Sequence, residues 1–236
     1  MTRTKQNRMF WMVTASLAGL GCGSSQGTEP HDMSATQHEQ AAGGEDVASA
    51  QHADQYNPQA SAEATQCAKS VCWTSETNPT EEHKAEVARH RALAAEHRAA
   101  AQALRDAEAG ACGGIPEEER DTSPFFHRED IVSVSELKSS TARGKTQIES
   151  AAGARAVFRA VPGLTAEWLQ REVDCHLARA AAMGHSMPEM DYCPLVLKDV
   201  IAKVSSTGDG FAIDVTSADV QVAKEAERRM QLAARK

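Results

Sequence analysis

Aromatic residues are scarce in this chain of 236 residues, of which they make up only 4%. A chain with so few large rings has less material for a hydrophobic core than its length allows. Its other apolar residues are concentrated near the start and after about Ile131. We therefore expect a sizeable core only in the C-terminal part.

Basic residues are also in the minority, with 25 Lys and Arg against 33 Asp and Glu and a formal net charge of -8. Binding to nucleic acid requires a concentrated basic surface that neutralises phosphates. The sequence shows no such cluster, so we expect no nucleic-acid partner.

Motifs that carry known catalytic chemistry are missing as well. The chain has no phosphate-binding loop, nucleophile elbow, zinc-protease helix or dinucleotide fingerprint. Cys67 and Cys72 do not form a haem-attachment motif, because Trp73 stands where that motif needs a histidine. The sequence thus predicts no cofactor and favours a role without catalysis.

The first residues have the three zones of an export signal. Arg3, Lys5 and Arg8 form a basic region, and an apolar run from Met9 to Leu20 follows it. This run is shorter than the roughly 20 residues that a membrane-spanning helix needs. We therefore interpret residues 1–21 as a signal peptide.

The end of this segment, Leu20-Gly21-Cys22, resembles the lipobox of bacterial lipoproteins, although Gly19 stands where leucine is usual. The resemblance covers about the first 25 residues. It implies that Cys22 becomes an acylated N-terminus that holds the protein to a membrane, and Gly23, which is not aspartate, implies the outer membrane facing the periplasm. The alternative is an ordinary signal peptide cut elsewhere, with Cys22 discarded or free.

Residues 22–79 are rich in small and polar residues, with eight acidic side chains and the single base Lys69. Such a composition cannot bury enough apolar surface to offset the ordering entropy of the chain. We predict a disordered acidic tether. His31, His38 and His52 could chelate a cation weakly there, but solvated histidines are the favoured interpretation.

Residues 80–110 are rich in alanine and predict a helix that starts after Thr80 and stops at Gly110. His83, His90 and His97 recur every seven residues, so they share one face but lie about 10.5 Å apart in succession. No single tetrahedral ion could bind two of them, so a metal site would need ligands from elsewhere. The heptad could instead mark a weak coiled coil or docking seam, for which Val87, Leu93 and Leu104 supply few apolar residues. A mostly solvated helix, with its histidines along the edge of a shallow apolar stripe, is the favoured interpretation.

Residues 111–130 are predicted to form a connector and residues 131–236 a compact domain. Apolar alternation and cap residues predict an order of β-β-α-β-β-α, with a capping box at Thr216 and Asp219. This order favours a two-layer α+β domain with a mainly antiparallel sheet. The predicted strands are 131–137, 154–161, 195–205 and 211–215, and the predicted helices are 166–183 and 217–234.

Five cysteines remain if Cys22 is lipidated, and exported proteins favour disulfides. Cys67 and Cys72 are close enough in sequence to pair locally. Two of the remaining three, Cys112, Cys175 and Cys193, are predicted to pair and one to stay free, with Cys175 or Cys193 always in the pair. The competing interpretation is a soft-metal site for Cu(I) or Zn(II), formed by Cys112, Cys175, His176 and Cys193.

Two functional hypotheses follow. The first is an exported, lipid-anchored envelope protein that acts as a non-catalytic binding or interaction domain, with the membrane and possible envelope proteins as partners. The alternative is a periplasmic protein that binds a soft metal such as copper or zinc.

Overall fold

The computed structural model describes residues 27–144 and 146–235, which form four α-helices and two antiparallel sheets. The signal peptide 1–21 and Cys22 lie outside the described residues. The fold is α+β, which confirms the predicted class. None of the described helices combines the length and apolar character needed to cross a membrane.

The N-terminal part is a pair of antiparallel helices, α1 (Ala35–Gln55) and α2 (Glu81–Ala111). A capping box starts α1: the Ser34 hydroxyl accepts from the Gln37 amide, and the Gln37 side chain accepts from the Ser34 amide. The helices approach closely because small residues face each other, with Ala35 and Ala42 buried on α1 and similarly small residues buried on α2.

From residue 27 onwards, this helix pair corrects the prediction of a disordered tether over residues 22–79. The composition does lack large apolar residues, but α1 docks on a neighbouring helix through alanine, serine and histidine instead. The segment between the helices is also ordered, as a hairpin of β1 (Ala62–Ala68) and β2 (Val71–Thr77). Its turn is Lys69-Ser70, where both residues have positive φ.

The C-terminal domain has the predicted order β-β-α-β-β-α. Its sheet is antiparallel throughout, with the spatial order β3-β4-β6-β5. The elements are β3 (Ile131–Arg143), β4 (Thr146–Arg159), α3 (Ala166–Ala182), β5 (Ile201–Thr207), β6 (Gly210–Thr216) and α4 (Val220–Ala233).

The core of this domain lies between one face of the sheet and the two helices. Strand alternation points Phe158 of β4 and Ile213 of β6 to the same side, where they pack with Val173 of α3 and Met230 of α4. These residues belong to one continuous buried cluster. The domain therefore has two layers, as predicted.

Three boundaries differ from the sequence prediction. Residues 195–200 are not strand, because Pro194 starts a short 3₁₀ turn that buries Leu195 and Val196, and β5 begins only at Ile201. The cap of α4 is Asp219 alone, whose carboxylate accepts from the Gln221 and Val222 amides. Strands β3 and β4 also extend to residues 143 and 146 as a polar ribbon that runs beyond β6.

The helix pair is attached to the domain at the junction of α2 with α3. Arg179 on α3 donates to Glu108 on α2 and to Asp121 in the connector. Gly184, which follows α3 with a φ of +68°, lies so close to Ser34 that an added Cβ would be 3.0 Å from the serine Cβ. The start of α1 therefore rests against the end of α3.

Candidate metal centre

Four of the five described cysteines form two disulfides. Cys67 bonds to Cys72 across the β1–β2 hairpin, and Cys112 at the end of α2 bonds to Cys175 on α3. Cys193 is free and buried. The second disulfide links the helix pair covalently to the C-terminal domain.

This pairing argues against the soft-metal site predicted at Cys112, Cys175, His176 and Cys193. Two of its sulfurs are bonded to each other, and only Cys193 and His176 remain, with Sγ 3.5 Å from Nε2. Burial raises the pKa of the Cys193 thiol and lowers the pKa of His176 to about 4. The thiol is therefore protonated near neutral pH, whereas a metal binds the thiolate.

The histidines of the helix pair face each other in a regular register. On α1, His38, Glu45 and His52 are spaced by seven residues, and on α2 His83, His90 and His97 have the same spacing. The antiparallel arrangement sets His38 against His97, Glu45 against His90 and His52 against His83. We call these six residues the histidine seam.

Most positions of α2 are exposed, in keeping with the favoured interpretation, but the seam places its histidines between two helices. His97 and His38 are buried, and the histidines at positions 52, 83 and 90 are partly buried between the helices. The ligands from elsewhere that the seven-residue spacing of α2 required are supplied by α1, the segment predicted to be disordered.

Each seam histidine has its Nδ1 in a contact across the helix interface, and the contacts of His52 and His90 bear on metal binding. His90 donates from Nδ1 to Glu45 Oε2 at 2.5 Å, and His52 Nδ1 lies 2.9 Å from His83 Nδ1, a distance at which one ring donates and the other accepts. In each of the two rings Nε2 is the second nitrogen, and in His90 it accepts from Arg89 at 3.2 Å. Histidines that bind metals are commonly oriented in this way, by a hydrogen bond from the second nitrogen to a carboxylate or another acceptor.

A carboxylate completes a possible ligand set. Glu86 lies one turn before His90 on α2, and its Oε2 is 3.8 Å from His90 Nε2. His52, Glu86 and His90 each offer one ligand atom such that all three atoms lie within 4.8 Å of one another. Tetrahedral zinc with bonds near 2 Å would need separations of about 3.3 Å, so side-chain rotation must contract the set moderately. We call these three residues the candidate metal centre.

A positive charge is already in contact with this centre. Arg89 donates from Nε to Glu86 Oε2 at 2.7 Å and from a terminal nitrogen to His90 Nε2 at 3.2 Å. This guanidinium is the largest cause of the lowered pKa of Glu86, to which His52 and His90 also contribute. Because the Arg89 side chain is more than half exposed, it can swing out when a metal ion enters.

The other end of the seam holds a buried pair. His38 and His97 lie with their Nδ1 atoms 3.0 Å apart, and Nε2 of His38 is buried without a hydrogen-bond partner. Among the described residues no third ligand group joins them. This pair contributes to the seam but does not itself form a complete metal site.

A second cluster with metal-ligand chemistry lies on the surface of the domain. His127, Glu129 and Asp130 come from one short segment, and His127 and Glu129 are exposed. Arg159 already pairs with Asp130 at 3.3 Å. His127 and Glu129 of this cluster are exposed, whereas the rings of His52 and His90 are held between α1 and α2 by hydrogen bonds to the other helix.

Comparison with known proteins found no relative. No protein-family model matches the chain, and no curated protein or solved structure is significantly similar to it. The candidate metal centre is thus defined by its own geometry.

Proposed function

We propose that this is an exported envelope protein, anchored by lipid on Cys22, whose mature part is a non-catalytic binding module for a divalent transition-metal ion. Two disulfides among the described residues support export, because such bonds persist mainly in oxidising compartments. The lipobox-like residues favour the outer membrane facing the periplasm. An envelope protein as a further partner stays a prediction.

One observation carries the metal-binding proposal: the rings of His52 and His90 are each held through Nδ1 by a group that is not itself in the ligand set. Both rings and Glu86 then converge at the α1–α2 interface. Held rings lose less freedom when an ion binds, and a carboxylate on the second nitrogen makes the imidazole a stronger ligand.

The ligand types indicate the class of ion. Imidazole nitrogen with one carboxylate suits borderline ions such as Zn²⁺, Cu²⁺ and Ni²⁺, whereas Mg²⁺ and Ca²⁺ prefer oxygen ligands. Because no thiolate takes part, the set is less suited to Cu(I) than the cysteine cluster that the sequence suggested. Three protein ligands leave a fourth position for water or an exchangeable ligand.

Isothermal titration calorimetry of the purified full chain with Zn²⁺ tests the proposal. We expect one ion per chain at the centre, and we expect His52→Gln and His90→Gln each to weaken binding by more than about 100-fold, beyond the loss typical of an outer partner. His31→Gln, an exposed histidine outside the seam, is the matched control and should bind as the wild type does.

His127→Gln separates the two clusters. If this variant loses Zn²⁺ while His52→Gln and His90→Gln retain it, the ion binds at the surface cluster and the proposal is wrong. Absence of Zn²⁺, Cu²⁺ and Ni²⁺ binding in the wild type would also overturn it.

A further inference from the structure

The face of α1 that contacts α2 buries almost no large apolar side chain. Its buried residues are Ala35, His38, Ala42 and Ser49. The one larger apolar residue of this fully described helix, Val47, is 59% exposed. Because hydrophobic stabilisation grows with the apolar area removed from water, α1 gains little of it by docking.

Other sources of stability for α1 are also weak. Gly43 and Gly44 lie in the middle of the helix, where glycine is less favourable than alanine. An isolated helix of this length with two central glycines has only marginal stability in water. Two of the ion pairs that connect it to α2, Glu39 with Arg105 and Asp46 with Arg98, have exposed side chains and so add little. A third pair, Glu45 with His90, is partly buried and adjoins the candidate metal centre.

The candidate metal centre draws its groups from both helices. His52 comes from α1, Glu86 and His90 come from α2, and Glu45, which orients His90, comes from α1 again. A complete ligand set exists only while α1 is docked. An ion that binds the docked form alone shifts the docking equilibrium by about 100-fold when its free concentration is 100 times Kd.

We propose that binding of a divalent transition-metal ion drives the docking of α1 on α2, and that loss of the ion releases α1. This inference rests on the proposed function and adds to it a conformational consequence. Once released, residues 27–60 behave as the extended arm that their acid-rich composition predicts, whereas the hairpin of β1 and β2 stays closed by the Cys67–Cys72 disulfide. The 21 residues of α1 span about 32 Å as a helix and about 70 Å when extended.

The consequence concerns the distance between the domain and the membrane. Residue 27 begins the described chain only five residues after Cys22, so α1 is the first long element after the proposed anchor. Docked, α1 lies along α2 and its N-cap Ser34 lies near the end of α3. Released, it lets the domain move farther from the lipid. Metal occupancy of the centre therefore sets how far the domain can extend from the membrane.

Hydrogen–deuterium exchange of the full chain, read by mass spectrometry with Zn²⁺ and with a chelator, tests the coupling. We expect amides of α1 to exchange about 100-fold more slowly at a free Zn²⁺ concentration 100 times Kd. The exchange rates of amides in α3 and α4 should not change on addition of Zn²⁺. Unchanged rates there also show that the C-terminal domain stays folded in each variant.

Three variants sharpen the experiment. His52→Gln should abolish the effect of Zn²⁺ on α1, whereas His31→Gln should keep it. Gly43→Ala with Gly44→Ala should protect α1 without metal and tighten Zn²⁺ binding, because more of the chain is then docked beforehand. Added Cβ atoms at both positions meet no other atom within 4 Å.

The possible failures can be told apart. If calorimetry shows Zn²⁺ binding that depends on His52 and His90 while α1 exchange stays the same, the coupling is wrong and the proposed function stands. If Zn²⁺ slows α1 exchange equally in His52→Gln, the ion acts elsewhere and the coupling is also wrong. If no Zn²⁺ binds at all, the proposed function fails and this inference fails with it.

Discussion

His90 donates from Nδ1 to Glu45 Oε2 at 2.5 Å, across the interface between α1 and α2. The bond fixes the tautomer of the ring, so that Nε2 carries the lone pair, which accepts from Arg89 at 3.2 Å and lies 3.8 Å from Glu86 Oε2. A residue of the segment predicted to be disordered thereby orients a candidate metal ligand on the neighbouring helix.

Replacing the Glu45 carboxylate should lower the metal affinity of the centre without removing a ligand. We expect Glu45→Ala to lower Zn²⁺ affinity by about 10- to 100-fold, because the imidazole loses both its orientation and the charge that raises its basicity. Competition with a chromophoric chelator measures the affinity. Glu39→Ala is the control, since Glu39 lies on the same helix and pairs with Arg105. Equal affinities for the two variants would contradict this role of Glu45.

Removing the arginine that contacts the centre should have the opposite effect. We expect Arg89→Gln to raise Zn²⁺ affinity roughly tenfold, because it removes the repulsion between one unit charge and a divalent ion in a largely aqueous setting. The same competition assay applies. Arg98→Gln, which removes a charge that pairs with Asp46 instead, should change the affinity little. Weaker binding by Arg89→Gln would show that Arg89 supports the site rather than competing with the ion.

The C-terminal domain could be predicted from sequence because its signals are local. Alternating apolar residues such as Phe211, Ile213 and Val215 mark strands, and a cap such as Thr165 marks the start of α3. The order of elements followed directly from these signals. The long β3–β4 ribbon was underestimated because its outer part pairs polar residues, which carry no apolar alternation.

The helix α1 could not be predicted in the same way, because what stabilises it is another helix. Its small residues and histidines are typical of a linker, and only the buried Ala94, His97 and Ala101 of α2 give them a surface to pack on. One signal was nevertheless available: His38, Glu45 and His52 repeat the seven-residue spacing of His83, His90 and His97. Matching intervals in two segments predict an antiparallel pairing that neither segment shows alone.

The disulfide between α2 and α3 should dominate the stability of the junction. It joins residues 63 apart, and constraining such a loop in the unfolded chain is worth about 4 kcal/mol. We expect Cys112→Ser with Cys175→Ser to lower the free energy of unfolding by that amount in urea titrations. Cys67→Ser with Cys72→Ser removes a bridge between residues 5 apart in an exposed hairpin. That control should leave unfolding of the C-terminal domain unchanged, and equal losses in the two double variants would contradict the assignment.

Buried His176 should make the domain sensitive to acid. Burial, aided by the charge of Arg179 and opposed by that of Asp121, lowers its pKa from 6.5 to about 4. As pH falls below 6.5, His176 becomes protonated in the unfolded chain, whereas in the folded chain it stays neutral until about pH 4. The unfolded state therefore binds more protons in this window, and acid favours unfolding. Stability from this group is therefore fully present above pH 6.5 and lost by about pH 4.

The variant His176→Leu isolates this contribution. Over the window from pH 6.5 to 4, we expect the wild type to lose about 3 kcal/mol of unfolding free energy relative to the variant, since each pKa unit corresponds to about 1.4 kcal/mol. Urea titrations followed by far-UV circular dichroism at several pH values give the two curves. Parallel curves through this window would show that the imidazole is not kept neutral in the fold.

Anomalous X-ray diffraction at the zinc absorption edge, on crystals of the full chain grown with Zn²⁺, tests the metal centre most directly. We predict one strong peak between α1 and α2, about 2 Å from Nε2 of His52, Nε2 of His90 and a carboxylate oxygen of Glu86. Arg89 should have moved away from these atoms. A peak at His127, Glu129 and Asp130 with none at the α1–α2 interface, or no peak at all, would contradict the account.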